Sequence, residues 1–177
     1  MNDFQKTLRD NGIFLVTTQS IDEGAMELIF KLMEFSASNP DSKIRLYISS
    51  TGTNYSNALA IYDCLKSLKN HISVTCIGLV SGFAPLLISV ADKNERYALK
   101  HTEFSLKQPY GYIGAGANQQ TEVLIASEEA KLQRETYESL LAEELKIKKD
   151  KIHNDLEKGL SLNADEAKTY GLIDKVI

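Results

Sequence analysis

Short runs of consecutive apolar residues alternate along this chain with longer stretches in which apolar side chains recur every three or four positions. Residues 13–16 (IFLV) are the first β-prone run, and Ser20 follows three residues ahead of Glu23, the spacing of a capping box. A helix is expected from 21 to about 37, because Ala25, Leu28, Ile29, Leu32, Met33 and Phe35 fall on one face and Asn39-Pro40 stops it. Residues 44–49 (IRLYIS) predict a second strand, 51–54 (TGTN) a turn, and the stretch through Asn57 and Tyr62 a helix. The same step recurs with a strand at 72–77 (ISVTCI) and an apolar helix from about 82 to 91. Further short strands are expected at 97–99 and 103–106, a Pro/Gly break at 108–112, a glycine-rich segment at 111–116, and a long amphipathic helix from about 121 to 145. Strands alternating with helical segments predict an α/β fold of parallel βαβ units with helices on both faces of the sheet.

Composition narrows the classes. With 177 residues, 43% of them hydrophobic and 25% charged, the chain is long enough for one well-buried core, and a single domain over 1–177 is expected. A net charge of -4 with interspersed signs supplies no basic face for nucleic acid. Cys64 and Cys76 form no CxxC pair and no His/Cys cluster, so neither a disulfide framework nor a metal site is indicated, and no cofactor motif occurs. The polar start, MNDFQKTLRDNG, lacks the apolar core of a secretory signal, and the longest apolar run, about 81–91, is shorter than the roughly 20 residues that span a bilayer. A cytoplasmic protein without membrane contact is expected.

Four blocks of sequence carry a resemblance. IRLYISSTGTNYSNALAIYDCL (44–65) looks like the strand, SPGG turn and IYD helix of the Clp protease proteolytic subunit, and SVTCIGLVSGFAPLL (73–87) like its GxAASMGA nucleophile segment. Residues 99–117, LKHTEFSLKQPYGYIGAGA, resemble its LPNSxxMIHQP segment and the glycine-rich strand after it, and 152–174 echo its C-terminal SA..EA..YGLID pattern. The first three blocks stay in register from 44 to 107 without a gap. The chain is thereby identified as similar to the Clp-peptidase/crotonase-like fold, which implies α/β architecture of repeated β-β-α units with a handle strand and helix over about 108–145.

The resemblance also fixes where the family's chemistry should stand. A serine hydrolase needs an alcohol, a base within hydrogen-bond reach and a carboxylate that orients the base. The family's serine falls at Gly82, its histidine at Lys107 and its aspartate at Gly159. Its oxyanion-hole N–H groups fall at Thr53 and Phe83, both of which retain a backbone N–H, so the hole is expected to survive with nothing to fill it. A pseudoprotease is expected. The alternative enzyme is a displaced Ser81/Lys107 dyad, against which Ser81 reads more simply as the N-cap of the following helix. A third class is a crotonase-like binder of acyl thioesters on the oxyanion turn, although no basic cluster stands ready for the phosphates of coenzyme A. His71, His101 and His153 are expected on the surface. Restoring Gly82→Ser, Lys107→His and Gly159→Asp with Thr53→Gly is expected to confer some peptidase activity if the frame is intact.

In the resembled family, heptameric rings stack through the handle and a hexameric ATPase docks on the outer face. The segments matching the handle, 111–117 and 121–145, are kept, which implies self-association and, by extension, mixed rings with an active paralogue. Tyr47, Ile77, Tyr97 and Leu99 match the family's apolar docking pockets, whereas Ser67 and Thr75 stand where larger apolar groups are usual, so ATPase docking is expected to be weakened. With about ten residues up to Leu8-Arg9-Asp10, the resemblance leads us to expect little of the family's pore-lining hairpin, and the family's Arg-Asp sensor at the ring contact reads Lys158-Gly159.

Overall fold

The computed structural model describes residues 3–108 and 120–177. The glycine-rich segment matched to the handle strand therefore lies outside the described residues. In chain order the elements are α1 (Asp3–Asp10), β1 (Ile13–Thr17), α2 (Thr18–Asp22), α3 (Ala25–Ser38), β2 (Ile44–Ser50), α4 (Tyr55–Ser67), β3 (Ile72–Ser81) and α5 (Ala84–Ile88). They continue with β4 (Arg96–Ala98), β5 (Glu103–Leu106), α6 (Gln120–Leu145), α7 (Lys149–Lys158), β6 (Leu160–Asn163), α8 (Ala164–Tyr170) and β7 (Lys175–Val176).

The strands build one mostly parallel sheet in the order β1-β2-β3-β4-β7, with β5 joined to β3 and β6 to β5. Among the described residues only the β5–β6 pair is antiparallel. β3 is long enough to serve two neighbours: Val74 to Cys76 pair with β4, and Leu79 to Ser81 pair with β5. Between these halves its register against β2 shifts, from Ile48 opposite Cys76 to Ser50 opposite Val80. A bulge of this kind bends a strand and re-aims its end. Here it delivers residue 81 beside β5 rather than β4.

Inward-facing strand residues Phe14, Val16, Leu46, Ile48, Val74 and Cys76 are buried against Leu28, Leu32 and Phe35 of α3 and Ala58, Ile61 and Leu65 of α4. The opposite face is open. Leu15, Tyr47, Thr75, Tyr97 and Lys175 lie in one row across five strands, and Leu15 is 53% exposed while its inward neighbours are buried. The expected helical layer on both faces is thus corrected: among the described residues it covers one face of β1 to β4, because the outward positions are not apolar enough throughout to require a second layer.

Two helices differ from their expected bounds. The single helix expected from 21 breaks at Glu23-Gly24 into α2 and α3. Thr17 rather than Ser20 is the N-cap of α2, in a capping box with Ser20, and Gly24 starts α3 without a side-chain cap. The helix expected from 82 shrinks to α5, since β3 extends to Ser81 and Gly82 is left-handed.

Candidate functional site

β2 and β3 end side by side, and the turns that leave them meet. Functional groups in open parallel sheets collect at such carboxyl ends. The turn after β2 is held by side chains at each successive N–H. Thr51 donates to Thr18 Oγ1 at 3.0 Å, Gly52 to the buried Ser50 Oγ at 3.1 Å, and Thr53 and Asn54 to Asp22 Oδ1 at 2.7 and 3.0 Å. Asn57 Nδ2 adds a bond to the Asp22 carbonyl at 3.2 Å, and the Asn54 side chain caps α4 through the Asn57 N–H. One carboxylate at the end of α2 thereby takes two N–H groups at the start of α4, where a negative charge is favoured by the helix dipole.

The turn after β3 is closed against it. The Phe83 N–H donates to the Gly52 carbonyl at 3.0 Å. Gly82 sits at φ +64, and a Cβ built there would lie 2.2 Å from Gly52 O and 3.1 Å from Thr51 O. Backbone cannot yield as a flexible side chain can, so glycine is the residue this contact accepts. Phe83, 2% exposed, packs edge-on between Tyr55 at 5.5 Å and Tyr137 of α6 at 5.1 Å. Tyr137 also donates its hydroxyl to the Gly82 carbonyl at 3.0 Å. Burial pushes the Tyr137 phenol far above its ordinary value, so it remains a donor.

This geometry corrects the expectation about the oxyanion positions. Thr53 and Phe83 do keep their N–H groups, but both are consumed inside the chain, one by Asp22 and the other by Gly52. Sequence reasoning missed Asp22, which it placed inside a continuous helix, and Tyr137, which it saw only as part of a long amphipathic one. Neither partnership has a spacing signal, since both join segments far apart in sequence.

Lys107 and Gly159, the positions the resemblance assigns to the histidine and the aspartate, lie next to each other. A Cβ at Gly159 would lie 3.7 Å from Lys107 Cγ. Lys107 is exposed rather than buried in a cleft, and Gly159 adopts φ 68 as the left-handed C-cap of α7, its N–H bonded to Asp155 and Leu156 carbonyls. That is a common structural role for glycine. Ser81, half-buried, lies within β3 opposite Ser105 and is not a helix cap: Phe83 holds the N-cap position of α5, with no side-chain bond. No hydrogen bond joins Ser81 to Lys107 among the described residues. Ser105 Oγ, a neighbour not singled out in the sequence, is buried without a partner among them.

Tyr47, Ile77, Tyr97 and Leu99 all reach the open side of the sheet or its rim. Tyr47 and Tyr97 flank Thr75 in the cross-strand row, Ile77 is two residues along from Thr75, and Leu99, 40% exposed, extends the ladder by donating its N–H to Cys76 O at 3.1 Å. Tyr97 spends its hydroxyl on Glu95 at 3.0 Å, and Glu95 in turn pairs with Lys43 at 2.7 Å. His71 is a surface residue bound to Asp92, whereas His153 is not a plain surface group: its Nδ1 stands 3.0 Å from the buried Glu138 of α6.

The two halves of α6 contrast. Its buried residues, Tyr137, Glu138 and Leu141, belong to the C-terminal half, which is further tied to α4 by Tyr62 and Lys66 on Glu144 at 2.5 and 2.8 Å. Toward the N-terminus Leu124, Ile125 and Leu132 stand 52 to 63% exposed. Among the described residues no group of three His, Cys, Asp or Glu is placed to hold a metal, and no helix is long and apolar enough to cross a membrane. The family model described as Clp protease matches the chain over residues 1–177.

Proposed function

The chain belongs to the Clp protease family, and on that premise we propose that it is a non-catalytic member, a cytoplasmic pseudoprotease that assembles into heptameric rings and serves as a structural or regulatory subunit of a Clp-type complex. The observation that carries this reading is the closure of the two turns. A hydrolase must offer free N–H donors where the oxyanion develops, and here Thr53 and Phe83 have none to offer while the nucleophile position lacks even the space for a Cβ. The same closure argues against a binder of acyl thioesters, which would need those donors. Against a Ser81/Lys107 dyad, Lys107 is exposed and no hydrogen bond joins it to Ser81 among the described residues.

Assembly is supported by three exposed apolar side chains on the first half of α6, Leu124, Ile125 and Leu132. Three large side chains on one projecting helix are poorly placed for an isolated chain and well placed for a second copy stacked through its handle. An active paralogue in the same ring is compatible with this surface. An ATPase on the outer face would meet Tyr47, Ile77, Tyr97 and Leu99, but with Thr75 between the two tyrosines and the Tyr97 hydroxyl already engaged, so its docking is weakened. The test is sedimentation velocity on the purified chain, with hydrolysis of a fluorogenic peptide measured on the same fractions. Ring-sized species without turnover are expected. A monomer, or turnover that follows the ring fraction, would overturn the reading.

A further inference from the structure

Both ends of one peptide unit are held by different parts of the fold. The Gly82–Phe83 peptide is trans, since the described residues contain no cis bond, so its carbonyl and N–H point in opposite directions. The carbonyl accepts from Tyr137 of α6 and the N–H donates to Gly52 of the turn after β2, each at 3.0 Å. Gly82 has no Cβ to resist rotation. The orientation of this peptide is therefore set by its two partners and by the ring of Phe83, and Tyr137 supplies one bond and one of the two ring contacts.

We propose that Tyr137 is a latch: the docking of α6 holds the Gly82–Phe83 peptide in its closed orientation, and undocking of α6 releases the Phe83 N–H. The helix is built as a lever for this. Its buried residues are confined to Tyr137, Glu138 and Leu141, its C-terminal end is tethered through Glu144, and its N-terminal half projects with exposed apolar side chains. A partner that grips the projecting half acts on the turn through a short docked segment. Coupling of this kind is reciprocal, so a ligand that captured the Phe83 N–H would loosen α6. The latch shares with the proposed function the closed turn and the exposed half of α6, but its test reads the turn within a single chain, so a failure of the chain to form rings would leave it standing.

Amide hydrogen exchange, resolved by NMR on the full chain, tests it. Tyr137→Phe keeps the ring and removes only the donor. The Phe83 amide is expected to exchange roughly fivefold to tenfold faster, the effect of losing one buried hydrogen bond, while the Thr53 amide, held by Asp22, and the core amide of Leu46 keep their rates. An unchanged Phe83 rate, or the same acceleration at all three amides, would refute the latch. Tyr62→Phe supplies the second arm, because it loosens the α6 tether far from the turn. Phe83 should again accelerate, by a smaller factor; faster exchange in α6 with no change at Phe83 would refute transmission through the helix.

Discussion

The turn at Gly82-Phe83 and the projecting half of α6 are opposites. In the first, main-chain polar groups find partners inside the chain, an aromatic ring is wedged between two others, and no atom can be added. In the second, large apolar side chains stand exposed on a helix with no buried residue near its start. The difference separates two things that a family resemblance bundles together. The closed turn and the exposed half of α6 are built from different residues, so on the proposed reading association and catalysis fail by different substitutions.

That contrast can be broken at either end. The largest effect on folded stability is expected from Gly82→Ser, which places a Cβ against the Gly52 carbonyl in a left-handed backbone: a loss of roughly 3 kcal/mol, combining left-handed strain with overpacking, in a denaturant titration. The fourfold restoration of serine, histidine, aspartate and glycine therefore should not confer peptidase activity unless the turn opens, which revises the expectation drawn from sequence. Asp22→Ala removes the acceptor shared by the Thr53 and Asn54 N–H groups and should cost about 2 kcal/mol, read in the same titration. Retained stability there would mean that water satisfies the turn as well as the carboxylate does.

A smaller effect comes from Asp174. Burial works to raise its pKa, but hydrogen bonds and charge from Arg96 outweigh that and hold the carboxyl below the ordinary value. The unfolded chain consequently takes up this proton first as pH falls. The stabilisation is present above the unfolded pKa of about 3.9 and is lost as pH drops through the lower folded value. Asp174→Asn should flatten that part of the acid-unfolding curve. The smallest change in subunit stability, within about 0.5 kcal/mol, is expected for glutamate at Leu124, Ile125 and Leu132 together, because these side chains are already exposed. Their substitution should nonetheless abolish ring-sized species in sedimentation.

Much of this was legible from the residues. Apolar runs at 13–16, 44–49, 72–77 and 103–106 became strands, and the helix expected from 121 to 145 is α6, starting one residue earlier. Local rules failed where tertiary contacts decide. Ser20 and Glu23 have capping-box spacing, yet Thr17 wins the cap because β1 ends there, and Gly24 then divides the helix. The strand expected over 72–77 runs on to Ser81, because residues 79–81 pair with β5, and the helix expected from about 82 starts only at Ala84. The residues at 82, 107 and 159, where the resemblance places a triad, are legible in the sequence; the closure of the turns around Gly82 is not. Closure depends on Asp22 and Tyr137, whose partners lie about thirty and fifty-five positions away in the chain.

The central claim, assembly without a reactive centre, is tested most directly by native mass spectrometry of the purified chain incubated with a fluorophosphonate. A ring-sized multimer carrying no probe is the expected result. One probe per subunit, mapped to Ser81, would contradict the account and establish a displaced serine site.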